Sequence, residues 1–234
     1  MNATLPGTWR LYARGAALVL AVLYAVGTVG HALPETLPLM LFLTPGFLLA
    51  TGVLATAPSA AADGRRFALW MAGAYVFTFA AEAVGVATGA VFGEYAYGPT
   101  LGWKALDVPV VIAFNWVLAV NGAVCLAEHA VPLRPGRWRR PALVLLAGGI
   151  AAAFDFLMEP VAIRLDYWHW AGGAIPLQNY AAWFLLAAAA AAVHPRLARP
   201  ECAGSTDGNL ASAYLLLQAA FFVALRLVWR FQGG

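Results

Sequence analysis

The chain has 234 residues, 62% of them hydrophobic and only 11% charged, with a formal net charge of +3 and a pI near 9.1. A soluble domain of this size carries about a quarter charged residues, so an ordinary soluble fold is excluded. The arginines sit in short segments between apolar runs and form no continuous basic patch, which excludes a nucleic-acid surface as the source of the positive charge.

Seven apolar runs follow one another, at roughly 13–31, 36–56, 67–89, 107–129, 141–162, 177–194 and 209–230. Each approaches the length needed to cross a hydrocarbon core of about 30 Å. The first reads as a retained helix, because residues 27–31 make a poor processing site. Pro34 and Pro38 mark a tight turn into the second. The sixth is the shortest and opens with Gln178 and Asn179. Its alanine run, 187–192, reads as a close-packing helix face, and 199–209 as a polar loop. The predicted architecture is an all-α polytopic membrane helix bundle of about seven transmembrane helices, with residues 1–234 as a single integral membrane domain.

Orientation comes from the basic residues. Arg10, Arg14, Arg65, Arg66, Arg134, Arg137, Arg139, Arg140, Arg196 and Arg199 fall on one side of a seven-span arrangement, whereas Lys104, Arg164, Arg226 and Arg230 fall on the other. The heavier side is expected to be cytoplasmic, with the N-terminus. Cys125 and Cys202 have neither CxxC nor metal-ligand spacing, and no structural disulfide is expected. Trp9, Tyr12, Trp103, Trp138, Tyr167, Trp168, Trp170 and Trp229 lie near span ends, where an aromatic belt is expected.

Ionisable groups at membrane depth usually face the bundle interior. Glu82 lies about 10 Å inside the third run, counted at 1.5 Å per residue. Asp155 and Glu159 stand one helical turn apart in the fifth. Asn115 lies in the fourth run and Asn179 at the head of the sixth. Under the predicted topology these groups gather in the outer leaflet. Glu128 and His129, at the other end, read as interfacial partners of nearby arginines. The outer acids admit two readings. One is a structural lock, with Arg226 or Arg164 paired to Glu159. The other is a polar pocket that carries or transforms a ligand.

Two loops on the acid-rich side are aromatic, glycine-containing and acidic. One runs Gly93-Glu-Tyr-Ala-Tyr-Gly-Pro-Thr-Leu-Gly-Trp-Lys-Ala-Leu-Asp-Val-Pro, the other Pro160-Val-Ala-Ile-Arg-Leu-Asp-Tyr-Trp-His-Trp-Ala-Gly-Gly-Ala-Ile-Pro-Leu-Gln-Asn-Tyr. Aromatic faces beside carboxylates suit a flat apolar molecule or a developing carbocation. A re-entrant lid lying on the lipid headgroups is the plainer reading of the same segments.

Several of these stretches resemble the carotenoid biosynthesis protein family that includes CruF-type carotenoid 1,2-hydratases and the bisanhydrobacterioruberin hydratases of haloarchaea. They are Glu82-Ala-Val-Gly-Val-Ala-Thr-Gly, Phe92-Gly-Glu-Tyr-Ala-Tyr, Leu101-Gly-Trp-Lys-Ala-Leu-Asp-Val-Pro, Asn115-Trp116, Asp155-Phe-Leu-Met-Glu-Pro, Tyr167-Trp-His-Trp and Ile175-Pro-Leu-Gln-Asn-Tyr. The resemblance covers roughly residues 75–185. This chain departs from the family pattern at Asp107, where Gly is expected, at Glu159, where Asp is expected, and at Tyr180, where Phe or Trp is expected.

The resemblance implies addition of water to the terminal C1=C2 double bond of an acyclic carotenoid end, by acid catalysis through a carbocation. An acid that stays protonated near neutral pH must be desolvated, so Glu82, the deepest carboxyl, is the expected acid, with Asp155 or Glu159 holding water or accepting its proton and Asn115 and Asn179 orienting that water. Tyr95, Tyr97, Trp116 and Trp168, with the loop acids Glu94 and Asp107, are expected to border the substrate. The expected partners are a carotenoid within the bilayer of a bacterial or archaeal plasma membrane, lipid, and other carotenoid-synthesis enzymes. No cofactor, metal or nucleic acid is expected. His31, His129, His169 and His194 are too scattered for metal ligation. A small transporter or channel and a non-catalytic carotenoid-binding protein are the competing classes. A retinal protein is excluded because Lys104, the only lysine, lies outside the last span.

Overall fold

The computed structural model describes residues 7–130, 136–198 and 206–232. Of the sequence features above, Arg134, Arg199 and Cys202 lie outside these residues. Seven helices correspond to the seven apolar runs: α1 (Gly7–Ala32), α2 (Leu37–Asp63), α3 (Arg65–Thr88), α4 (Val110–Ala130), α5 (Arg139–Arg164), α6 (Leu177–Ala192) and α7 (Thr206–Phe231). Six are long and apolar enough to cross a membrane. The sixth helix, α6, has 16 residues and is shorter. It spans about 24 Å at 1.5 Å per residue and is followed by a 3-10 turn, Pro195–Ala198. The seventh helix begins at Thr206, inside the segment expected to be loop.

Burial sorts the helices. In α4, 83% of the apolar window is buried, against 17–39% in the other five long helices. Small residues interspersed on α4 let neighbouring helices approach closely. Ala113, Ala119, Ala123 and Ala127 are fully buried, and a Cβ at Gly122 would meet Leu215 Cβ at 2.7 Å, so α7 lies directly against it. Gly148 plays the same part between α5 and α6, where a Cβ would meet the Phe184 carbonyl at 2.8 Å. Around this centre, α1, α2 and α3 turn Leu18, Val26, Phe42 and Val76 outward. So many exposed aliphatic and aromatic side chains form a lipid-facing surface. The protein is therefore a multi-pass membrane protein.

The aromatic loops carry short paired strands. Tyr95–Tyr97 (β1) and Trp168–Trp170 (β4) pair as antiparallel strands, with Tyr95 opposite Trp170 and Tyr97 opposite Trp168. Lys104–Ala105 (β2) and Val108–Pro109 (β3) form a second small hairpin. Side chains alternate along a strand, so Tyr97, Trp168 and Trp170 turn inward while Ala96 and His169 are exposed. The lid reading is corrected accordingly: these rings point into the bundle. Tyr167, Trp168 and Trp170 are all buried, while Trp103 and Trp138 stay 74% and 69% exposed, as an aromatic belt requires.

Glycine closes this sheet. Gly89 takes a left-handed conformation, φ 67°, and caps α3. At Gly98 a Cβ would stand 2.0 Å from the Asp166 carbonyl oxygen, and the Gly98 N–H donates to the Tyr167 carbonyl at 2.9 Å. Gly98→Ala therefore forces two backbone segments apart. We expect a loss of about 1–3 kcal/mol, the range for overpacking, read as a lower thermal midpoint in detergent together with reduced burial of Trp168 and Trp170 by tryptophan emission.

At the opposite end of the bundle, Glu128 is buried and pairs with arginines, as expected. It accepts hydrogen bonds from Arg196 and, at 3.0 Å, from Arg139. Beside it, burial and then the Arg196 charge push the His194 imidazole down to about 3, so it is neutral. Its Nδ1 accepts from the Arg196 N–H at 3.2 Å, and its Nε2 lies 3.2 Å from Asn121 Oδ1. Glu128→Ala leaves Arg196 buried without this counter-charge. The expected cost is about 3–5 kcal/mol, measurable as a fall in thermal midpoint that Glu128→Asp partly restores.

Candidate active site

Three carboxyl groups expected at depth meet near the end of the bundle that carries the sheet. Glu82 from α3 accepts three hydrogen bonds: Trp116 Nε1 donates to Oε1 at 2.7 Å, and the Tyr95 and Tyr97 hydroxyls donate to Oε2 at 2.5 and 2.8 Å. Glu159 from α5 accepts from Trp168 and Trp170 Nε1 on Oε2, both at 3.0 Å, and from Asn179 Nδ2 on Oε1 at 3.2 Å. Asn179 also donates to Asp155 Oδ2 at 2.6 Å. The helical turn between Asp155 and Glu159 makes this shared amide possible.

Between the two glutamates lies a chamber of about 30 Å³, room for one or two waters. Glu82, Asn115, Glu159 and Asn179 line it, as do all four aromatic residues expected there, Tyr95, Tyr97, Trp116 and Trp168. Asp155 is completely buried behind Asn179, with Oδ1 lacking a hydrogen-bond partner, and does not line the chamber. Glu94 and Asp107 are not brought to it either. Both are exposed. Asp107 occupies the turn of the β2–β3 hairpin at φ 63°, a left-handed conformation that Asp tolerates. The reading of Glu159 as half of an ion pair is also corrected. Among the described residues the salt bridges all involve Glu128, and Arg164 instead lies 4.4 Å over the Trp229 ring.

The chamber holds residues that the site reading left out. Trp170, expected in the aromatic belt, follows Trp168 by two residues, the strand spacing that turns both inward. Trp183 stacks on Trp116, with ring centroids 3.6 Å apart. It follows Asn179 by four residues, on the same helix face. Just outside the chamber, Gln218, an isolated amide in α7, donates from Nε2 to Asn115 Oδ1 at 3.4 Å.

Chemistry follows from which partners can reverse a hydrogen bond. An indole N–H can only donate, whereas a tyrosine hydroxyl both donates and accepts. Glu159 Oε2 faces two indoles and must remain an acceptor. Glu82 Oε2 faces two hydroxyls and can carry a proton without losing a partner. Burial and the adjacent Glu82 push the Tyr95 and Tyr97 hydroxyls well above the usual tyrosine range, so both keep their protons. The chamber thus pairs one carboxyl whose partners accommodate either protonation state with one whose Oε2 stays an acceptor, between aromatic faces.

These features define a polytopic membrane protein with an internal acid–aromatic chamber. The chain belongs to the carotenoid biosynthesis protein family, whose profile matches residues 42–232. It is similar to a bisanhydrobacterioruberin hydratase of Haloarcula japonica, 31% identical over 128 residues, which cover 52% of this chain and 42% of that protein. The matched segment therefore spans about two fifths of the relative's length. No solved structure matches the chain.

Proposed function

We propose that this protein adds water to the terminal carbon–carbon double bond of an acyclic carotenoid end, giving a tertiary alcohol. The observation that carries this reading is the pairing of Glu82 and Glu159 across a water-sized aromatic chamber, their hydrogen-bond partners giving the two carboxyls opposite roles. Family membership and the similarity to a hydratase support the substrate class.

In this scheme the Glu82 carboxylic O–H protonates the less substituted alkene carbon. The π electrons form the new C–H bond, and the O–H pair stays on Glu82 as carboxylate. Positive charge develops on the dimethyl carbon, facing Trp116, Trp168 and the tyrosine rings. Water held by Asn115 and Asn179 attacks it and forms the C–O bond. Glu159 removes the extra proton from that oxygen. The proton returns to Glu82 through chamber water and Tyr95, which bonds Glu82 and lies in the field of Glu159. Asp155 acts through Asn179 as a positioning residue.

We further assign the chamber to the non-cytoplasmic leaflet, because the arginine-rich segments lie at the far end of the helices. The test is expression in a host that accumulates an acyclic carotenoid. A product heavier by one water and more strongly retained on a polar column supports the reading. Bound but unaltered carotenoid would instead indicate a carrier.

A further inference from the structure

The chamber is too small for the whole of the proposed reaction. Its volume of about 30 Å³ suits water, not a branched alkene end with its chain. A second cavity of about 220 Å³ adjoins it, and four residues line both: Ile112, Asn115, Met158 and Trp168. This larger cleft runs between α1, α2 and α7, with walls dominated by aliphatic and aromatic side chains. At its far side Leu23, Val26 and Leu43 line it while being 38%, 60% and 47% exposed on the lipid-facing surface. The cleft therefore opens sideways into hydrocarbon. Gln218, also in its wall, stands beside Asn115 at the junction and holds that amide at the neck.

We propose that the cleft seats the polyene arm of an acyclic hydrocarbon, which enters from the bilayer between α1 and α2. Its terminal alkene stops at the neck formed by Ile112, Asn115, Met158 and Trp168, and the water waits in the chamber beyond. The division of labour follows from size and polarity. An apolar chain gains about 25 cal/mol per Å² only where it leaves water, and here it passes from lipid to protein without meeting water. What the cleft contributes is orientation, holding one end of a long flexible rod at a reacting distance. The identity of the reacting end rests on the hydratase reading; the cleft as a polyene seat does not.

Gly27 provides the test. It lines the cleft, and a Cβ there would meet only Phe221 Cε2, at 3.9 Å, so a side chain at this position grows into open space. Gly15, on the same helix, has nothing within 4 Å and does not line the cleft. The probe is phytofluene, an acyclic polyene whose absorption overlaps tryptophan emission, added to the protein in phosphatidylcholine nanodiscs. The wild type and Gly15→Phe should show saturable quenching of tryptophan emission. Gly27→Phe should bind at least tenfold more weakly. Val26→Trp, whose side chain lies at the mouth and away from the packed interior, should slow association severalfold, and it stands in should Gly27→Phe not fold. Equal binding by the wild type and both cleft variants overturns the proposal, as does the absence of saturable quenching in the wild type. Saturable binding without any water-added product leaves the cleft assignment standing and removes the hydratase reading instead.

Discussion

Glu82→Gln is expected to lower product formation by about 10²–10⁴-fold, the usual contribution of a positioned general acid, while protein level and thermal midpoint stay close to wild type. The structural cost is small because the amide keeps the shape of the carboxyl. Its oxygen can still accept from Trp116 Nε1, and its NH₂ can donate to Tyr95 and Tyr97, whose hydroxyls turn to accept. What is lost is the transferable proton. The assay is chromatography and mass analysis of pigment from cells expressing each form at equal level. A Glu82→Gln protein that hydrates at the wild-type rate rules out Glu82 as the proton donor.

Glu159→Gln is expected to remove activity to a similar degree, but with a structural signature of its own. Both indoles at this carboxyl can only donate, so the amide oxygen must face Trp168 and Trp170. That turns the new NH₂ toward the Asn179 NH₂, which currently donates to Glu159 and Asp155. Reversing Asn179 would set its oxygen against Asp155. One buried donor or acceptor stays unsatisfied in either arrangement, at about 1–3 kcal/mol. A drop in thermal midpoint with Glu159→Gln, absent with Glu82→Gln, is the expected contrast. If the two variants are equally stable, the hydrogen-bond inventory drawn for Glu159 is wrong.

Much of the scaffold is legible in the sequence. Long apolar runs between arginine-bearing segments marked the helices, because a lipid-exposed helix has no polar face to blur the signal. Glu82, Asp155 and Glu159 were visible for the related reason that charge at membrane depth is rare. The sheet was not. A three-residue strand such as Tyr-Ala-Tyr or Trp-His-Trp is shorter than any window in which alternation can be counted, and its partner lies more than seventy residues away. Asp107 looked like a site residue because it is acidic and near aromatics, yet its left-handed turn is a backbone requirement that side-chain chemistry does not announce. The burial of Glu128 is not legible in the sequence, because its buried partner, Arg196, follows α6 and is distant along the chain. The cleft is equally hidden, since its wall gathers side chains from α1, α2, α4, α5 and α7, which no local sequence window brings together.

The pairing of Tyr95 with Trp170 across the sheet has a mechanical consequence. One ring grips Glu82 and its neighbour grips Glu159, so the two carboxyls are clasped to the same ribbon, although they grow from different helices. The gap between the two carboxyls is then ruled by a strand spacing of about 5 Å, not by how the helices happen to lean. Spans that tilt to match thinner or thicker bilayers carry the clasp with them. Slipping the ribbon by one residue would instead swing Ala96 and His169 inward and leave both acids ungripped.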